Sequence, residues 1–258
     1  MAIYSLFSAS GAPGVTTTAV ALAMSWPRHV ILVDANAAAT QSISAGYLRS
    51  LLPHEKGVME LAAAARNHQI DNTLPSTLIH LEGSNADFMQ GPRSPLQART
   101  MSVLWPALLE KFIALDSAGT DVIVDLGRLG TEHFAMPLLQ LSNRAVLVMR
   151  SDLPSIVGAN WHAAQLVEQF EGAEEAGRML KLAVVGQGQP YSASDIGKKL
   201  GIRNSINIGF DAATAAHFSI GSALPKRRVG SSTLLRSIDA MGAALRATSN
   251  LPVEDDDE

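Results

Sequence analysis

Apolar residues along the chain fall into two alternating kinds of segment. Short continuous runs of strand length are followed by longer stretches in which apolar residues recur every three or four positions. The first three segments, residues 3–7, 15–25 and 30–33, predict a strand, a helix and a strand. Further strands are predicted at residues 78–81, 122–126, 145–149, 182–185 and 206–208, and further helices at residues 58–67, 95–115, 154–170, 194–200 and 231–247.

This alternation predicts an α/β fold with a doubly wound, mostly parallel sheet flanked by helices. Few of the predicted strands alternate polar with apolar residues, which indicates that helices cover both faces of the sheet. No repeat or long linker interrupts the pattern, so we expect one domain over residues 1–250. The least periodic stretches, residues 35–57 and 84–95, are expected to be loops or partner-facing insertions. The acidic run at residues 254–258 predicts a disordered tail over residues 251–258.

Composition narrows the class of protein. The 258 residues are 47% hydrophobic with a net charge of −4, which is far too apolar for a disordered chain. The absence of cysteine excludes disulfides, thiolate metal sites and cysteine nucleophiles, and fits a reducing compartment. No apolar run approaches the ~20 residues of a membrane span, and the N-terminus lacks the positive charge of a signal peptide. We therefore expect a cytoplasmic protein.

A glycine-rich loop follows the first predicted strand. Residues 8–18 read SASGAPGVTTT and lead directly into the first predicted helix. A turn of this kind directs unpaired backbone N–H groups and the positive end of a helix at one point, where a phosphate can bind. Together with the carboxylates that end two later strands, the candidate nucleotide-binding residues are Gly11, Ala12, Gly14, Val15, Thr16, Thr17, Asp34 and Asp125.

Three segments resemble the ParA/MinD ATPases, the P-loop family with a deviant Walker A motif. SGAPGVTTTAVALA is similar to the KGGVGKTTTAVNLA-type opening of that family. VILVDANAAAT, residues 30–40, resembles the second strand with its Asp-x-Asp-Pro element, and DVIVDLGRLG, residues 121–130, resembles the Walker B strand. The resemblance spans roughly residues 1–210. It implies a P-loop fold, Mg-ATP as ligand, a homodimer that sandwiches nucleotide, and a partner protein in a partitioning or localisation system.

The departures from the family pattern concern the charged groups. Val15 stands at the position of the Walker A lysine, and Ser10 stands at the position of the signature lysine. Pro13 removes one N–H donor from the loop. The second carboxylate of the Asp-x-Asp element is Asn36, and an amide cannot act as a base. Because phosphoryl transfer depends on positive charge against the phosphate oxygens, these losses predict a pseudo-ATPase with weak or absent hydrolysis.

Other residues of the ParA/MinD pattern are present in this sequence. The resemblance places the hydroxyl of Thr16 as a Mg²⁺ ligand and Asp125 in support of the metal. Arg128 could replace some of the lost charge, although an arginine in such a loop is more often simply exposed. The alternative for the whole site is a plain strand-to-helix turn, with Asp34 and Asp125 solvating strand ends. The seven histidines show no metal-ligand spacing, and no G-x-S-x-G motif indicates a serine hydrolase.

The second half of the chain is basic. Residues 176–246 carry ten basic and three acidic side chains, a net charge of +7. Within it, the cluster Lys226, Arg227 and Arg228 is a candidate for nonspecific DNA binding, and the alternative is an ordinary solvated loop. The helix predicted after it has one apolar stripe. MinD-like proteins end in a membrane-seeking helix, but the acidic residues that follow here oppose an anionic bilayer, so we expect packing onto the sheet.

The function that these observations predict is spatial organisation. The chain is expected to act as a ParA/MinD-like scaffold or localisation factor, modulated by ATP and Mg²⁺ or independent of them. Two alternatives stay open: an active DNA-partitioning ATPase, and a TadZ/CpaE-like localisation factor for pilus or secretion assembly. Membrane binding is not expected.

Overall fold

A computed structural model describes residues 2–11, 13–51, 57–67, 69–115, 119–169, 179–186, 188, 190–202 and 204–247. Two of the predictions, the role of Ala12 in the loop and the acidic tail at residues 251–258, lie outside the described residues. No described helix combines the length and the apolar composition that crossing a membrane requires.

Eight strands form one sheet, in agreement with the predicted fold class. The strands are β1 (Ile3–Ser8), β2 (Val30–Asp34), β3 (Leu78–His80), β4 (Ala86–Met89), β5 (Asp121–Arg128), β6 (Arg144–Arg150), β7 (Leu180–Val185) and β8 (Ser205–Ile208). Their order is β3-β4-β2-β5-β1-β6-β7-β8. Among the described strands, only β3, at one edge, runs antiparallel to its neighbour. The central strands are buried on both faces, which explains their continuous apolar sequence.

Two stretches expected to be loops contain regular structure. Strand β4 lies within residues 84–95 and pairs in parallel with β2, so the prediction of a loop was wrong there. Its four residues include Asp87, and so short a segment carries too little hydrophobic pattern to be recognised. Residues 35–57 contain a π-helix, Ser42–Tyr47. Both elements are held by pairing or packing partners far away in the sequence.

Helices cover both faces of the sheet. The described helices are α1 (Val15–Met24), α2 (Val58–Arg66), α3 (Ile70–Thr77), α4 (Pro95–Ala114), α5 (Met136–Gln140), α6 (Leu153–Gln169), α7 (Ala193–Leu200), α8 (Ala212–Ile220), α9 (Lys226–Val229) and α10 (Thr233–Ala247). Buried side chains of α1, α8 and α10 share one core layer, and those of α2 to α7 share the layer on the opposite face. The two layers make the sheet doubly wound.

The last helix packs as the sequence analysis expects. Its apolar stripe of Leu234, Ile238, Met241 and Leu245 is buried in the same core layer as α1. The oxygen of Ser232 accepts a hydrogen bond from the N–H of Leu235 at 3.3 Å and caps the helix start. Because the stripe is already buried against the protein, it is not available to a lipid surface.

One buried carboxylate ties the amino end of the sheet together. Asp121 is fully buried at the start of β5 and accepts hydrogen bonds from the backbone N–H of Ala2 at 2.9 Å and Trp26 Nε1 at 2.8 Å. The guanidinium of Arg28 binds both of its oxygens, at 2.6 and 2.7 Å. These contacts connect the residue before β1, the segment after α1 and the start of β5, and so fix the strand that also carries Asp125.

Candidate functional site

The glycine-rich loop connects the carboxyl end of β1 to the start of α1. Gly14 lies at the N-cap with φ of 101°, a left-handed conformation that a side chain would disfavour. The first backbone hydrogen bond of the helix runs from the N–H of Thr18 to the carbonyl of Gly14, at 2.8 Å. The N–H groups of the preceding turn therefore have no intrahelical acceptor, because a helix leaves its first donors free. They are suited to bind an anion.

The two predicted carboxylates lie side by side. Asp34 ends β2 and Asp125 lies in β5, and the two residues are paired in the register of these adjacent parallel strands. Both are buried. The hydroxyl of Thr16 hydrogen-bonds to the Asp125 carboxylate, which also accepts from the N–H of Gly127 at 3.0 Å. The structure thus brings Thr16, Asp34 and Asp125 together, as the resemblance implies.

Burial makes this pair of carboxyl groups hard to ionise. Burial, followed by repulsion from Asp125, raises the pKa of Asp34 to about 8, although the N–H of Asn36 favours the charged form. Burial also raises the pKa of Asp125, against the hydrogen bonds from Thr16 and Gly127. A divalent cation at this point would relieve the repulsion. Two carboxylates and a hydroxyl are oxygen ligands of the kind that Mg²⁺ prefers, so the residues present fit the metal of a Mg-nucleotide.

Asn36 is engaged in local structure. Its side-chain oxygen accepts a hydrogen bond from the N–H of Ala38 at 3.1 Å, and its side-chain nitrogen donates to the hydroxyl of Thr40 at 3.2 Å. The side chain therefore organises the turn after β2. Since it is an amide, it supplies no base at the position where the family has a carboxylate.

Neither position of the missing lysines carries a replacement charge. Val15 is buried and belongs to the core layer that contains α1. Ser10 lies against α6, where a β-carbon at Gly158 would come within 2.6 Å of the Ser10 hydroxyl. The glycine-rich loop is therefore uncharged at both positions.

A cleft of about 700 Å³ opens at the carboxyl ends of β1, β2 and β5. It is lined by the loop and α1 start, by the turn and π-helix after β2, by the segment after β5, and by Ser219 of α8. Among the described residues lining it, Arg128 is the only one with a charged side chain. Arg128 is exposed, as the sequence analysis expects, but it also borders the cleft.

Several cleft residues were missed by sequence reasoning. Gln41, Ser42 and Gly46 come from the π-helix region, and Ser219 lies about two hundred residues after the loop. Gly46 packs directly against the backbone of Ser219. No motif marks these positions, because their place in the cleft results from packing between the π-helix and α8.

The basic cluster lies apart from the cleft. Lys226, Arg227 and Arg228 form the short exposed helix α9, and none of them lines the cleft. Arg228 makes an ion pair with Asp211 at 3.4 Å. Within the described residues, no three histidine or acidic side chains are grouped so that they could hold a metal ion.

No protein-family model and no curated protein matches the sequence. The fold that carries the site is nevertheless shared with solved structures. A ParA family ATPase from Chlorobium tepidum TLS is 17% identical, with a TM-score of 0.67 over 94% of this chain and 97% of that one. The MinD protein of the Aquifex aeolicus MinC:MinD complex is 14% identical, with a TM-score of 0.66 over 98% of each chain. Pyrococcus horikoshii MinD complexed with Mg-ADP is 13% identical, with a TM-score of 0.69 over 96% of this chain and 97% of that one. The chain therefore has the fold of the ParA/MinD ATPases.

Proposed function

We propose that this chain, built on the ParA/MinD fold, is a positioning protein that binds a Mg-nucleotide and hydrolyses it slowly or not at all. The observation that carries the proposal is the cleft itself. Thr16 lines the cleft and hydrogen-bonds to the buried carboxylate of Asp125, whereas Val15 and Ser10 leave the glycine-rich loop without a lysine. The protein would then act chiefly as a nucleotide-modulated scaffold.

Nucleotide binding is supported by the groups that remain. The loop offers free N–H groups at the start of α1, and Thr16 with Asp125 would hold Mg²⁺, with Asp34 beside them. The metal would neutralise charge on the β- and γ-phosphates. A protein of the same fold is known as a complex with Mg-ADP, which supports the same ligand class here.

Slow hydrolysis is supported by the groups that are missing. A charge-assisted contact to the transferring phosphate contributes on the order of 2–4 kcal/mol, so the loss of two lysines lowers the rate by several powers of ten. Asn36 further removes the carboxylate that would orient the attacking water in the family pattern.

Calorimetric titration with Mg-ATP and Mg-ADP tests this function, combined with a phosphate-release assay. We expect measurable binding and little turnover. Absence of binding to both nucleotides would refute the proposal. Brisk hydrolysis would instead support an active partitioning ATPase, and Asp125→Asn should then abolish it.

Val15→Lys is expected to strengthen ATP binding about tenfold, because it returns an ammonium group to the phosphate loop. The same calorimetric titration measures the change. Val157→Lys is the matched control, since it adds the same charge on the exposed side of α6. Equal affinity gains in both variants would mean that the effect is nonspecific and that position 15 does not face the phosphates.

We also propose that this chain assembles with a second copy of itself and with a partner protein. One neighbour of the same fold is the MinD of a MinC:MinD complex. Analytical ultracentrifugation with and without Mg-ATP would show whether this chain dimerises and whether nucleotide controls it. A TadZ/CpaE-like localisation role would be favoured by a dimer that forms without nucleotide and is recruited to a pole or a secretion assembly.

Nonspecific DNA binding is a second candidate, favoured by the exposed basic helix α9. Lys226→Glu combined with Arg227→Glu should weaken binding to random duplex at least tenfold and flatten its salt dependence by roughly two counterions. Arg228 is left in place because it pairs with Asp211. Fluorescence anisotropy at several salt concentrations measures the effect. The matched control is Lys198→Glu with Lys199→Glu on the exposed face of α7; equal losses in both pairs would exclude a site at α9.

A further inference from the structure

We propose that Arg128 is the cation that contacts the terminal phosphate, and that it lets the cleft distinguish a nucleoside triphosphate from a diphosphate. This inference rests on the proposed nucleotide binding. The positive charge that the glycine-rich loop lacks would then come from Arg128 at the end of β5.

The backbone of Arg128 is fixed next to the phosphate loop. Arg128 is the last residue of β5 and is paired with Ser8, the last residue of β1. The N–H of Leu129 donates to the carbonyl of Ser8 at 2.8 Å. The carbonyl of Arg128 accepts hydrogen bonds from the N–H of Thr131 at 3.3 Å and from its hydroxyl at 2.7 Å. The base of the arginine side chain is therefore anchored where the loop begins.

The side chain of Arg128 is free to bind a ligand. Within the described part of the chain its guanidinium has no ion pair or hydrogen bond, and it borders the cleft that the start of α1 also lines. Arginine is always protonated and offers paired N–H donors that match two oxygens of a phosphate. Such a group at the edge of an uncharged phosphate loop compensates for the missing lysines.

The position of Arg128 indicates the terminal phosphate. Thr16 and Asp125 are the residues that would hold Mg²⁺, which would neutralise charge on the terminal phosphates of a bound triphosphate. Arg128 follows Asp125 by three residues along the same chain segment, and its side chain borders the cleft that Thr16 also lines. A diphosphate would end before this side chain, whereas a triphosphate would reach it.

Arg150 does not fill the same role. It lies at the end of β6, on the other side of the loop, where it lines two smaller depressions of about 210 and 480 Å³. It does not line the cleft at the carboxyl ends of β1, β2 and β5. Its charge also acts on the carboxylate of Asp152 nearby. The two arginines thus flank the loop, but of these two only Arg128 borders the cleft that Thr16 lines.

The test is calorimetric titration of the whole protein with Mg-AMP-PNP and with Mg-ADP, so that hydrolysis plays no part. Arg128→Ala should lower the affinity for AMP-PNP about tenfold or more and leave ADP affinity unchanged. Arg128→Lys should fall in between, because it keeps the charge but loses the paired donors. Arg66→Ala, which removes an exposed arginine from α2, is the control and should change neither affinity.

The outcomes separate this inference from the proposed function. If the native protein binds neither nucleotide, both fail. If it binds them and Arg128→Ala binds AMP-PNP as tightly as the native protein, or loses both nucleotides equally, only the role of Arg128 is refuted. Because Arg128 is exposed, the variant should keep the native unfolding temperature, and circular dichroism checks this.

Discussion

Asp34→Asn is expected to stabilise the ligand-free protein by about 3 kcal/mol near pH 7.5. Asp34 is buried beside Asp125, and ionising both carboxyl groups there costs free energy that the unfolded chain does not have to supply. Asparagine has nearly the same shape and keeps an oxygen for the hydrogen bond from the N–H of Asn36, which is 3.1 Å long in the native protein. Its amide can also donate to Asp125.

The same pair gives the native protein a pH dependence of defined sign. A carboxyl group with a raised pKa binds more protons in the folded than in the unfolded state. The stability that it contributes is complete below the unfolded pKa of about 4 and is lost as the pH rises toward the folded pKa. For Asp34 the folded pKa is about 8, so the native protein should lose stability between these limits. The Asp34→Asn curve should be flatter.

Urea unfolding at pH 5 and pH 7.5, in the presence of a chelator, measures both effects. Asp239→Asn is the control, because Asp239 is exposed on α10 and should leave the pH dependence as it is. Parallel curves for native and Asp34→Asn protein would contradict the expectation. In Asp34→Asn, Mg²⁺ should increase the affinity for nucleotide less than it does in the native protein, because an amide binds the cation less well than a carboxylate.

Asp121→Ala is expected to destabilise the protein by about 4 kcal/mol. The substitution removes the acceptor of three groups and leaves the N–H of Ala2 and Trp26 Nε1 buried without partners. Arg28 is about half exposed, with 48% of its side chain accessible, and can turn to water. The cost therefore comes mainly from the two buried donors and from the lost bidentate contact.

Urea unfolding at constant pH measures this loss, with Asp71→Ala as the matched control. Asp71 also forms an ion pair, with Lys111 at 2.8 Å, but 71% of its side chain is exposed. An exposed pair contributes little, so Asp71→Ala should change the free energy of unfolding by less than about 1 kcal/mol. Similar values for both variants would show that the Asp121 cluster does not hold the amino end of the sheet.

Local sequence information was sufficient for much of the fold. Some segments are continuously apolar, and between them apolar residues recur with the helical period of 3.6. This pattern predicts a sheet covered by helices on both faces, and the structure has this arrangement. The elements that local pattern failed to predict are short or depend on distant partners. Strand β4 is held by β2, and the π-helix at Ser42–Tyr47 is packed against α8. The glycine-rich loop was recognisable because its turn and its helix start are local features.

The sequence alone determined the alternation of strands and helices over most of the chain, the glycine-rich loop, and the absence of lysine at positions 10 and 15, because each depends on neighbouring residues. Tertiary structure alone decided that Asp34 and Asp125 are paired across adjacent strands. It also decided that Arg128 and Ser219 border the same cleft. The pairing of Asp34 with Asp125 follows from strand order and register, and the position of Ser219 follows from packing between the π-helix and α8. Both bring together segments that are far apart along the chain, and no short stretch of sequence encodes such contacts.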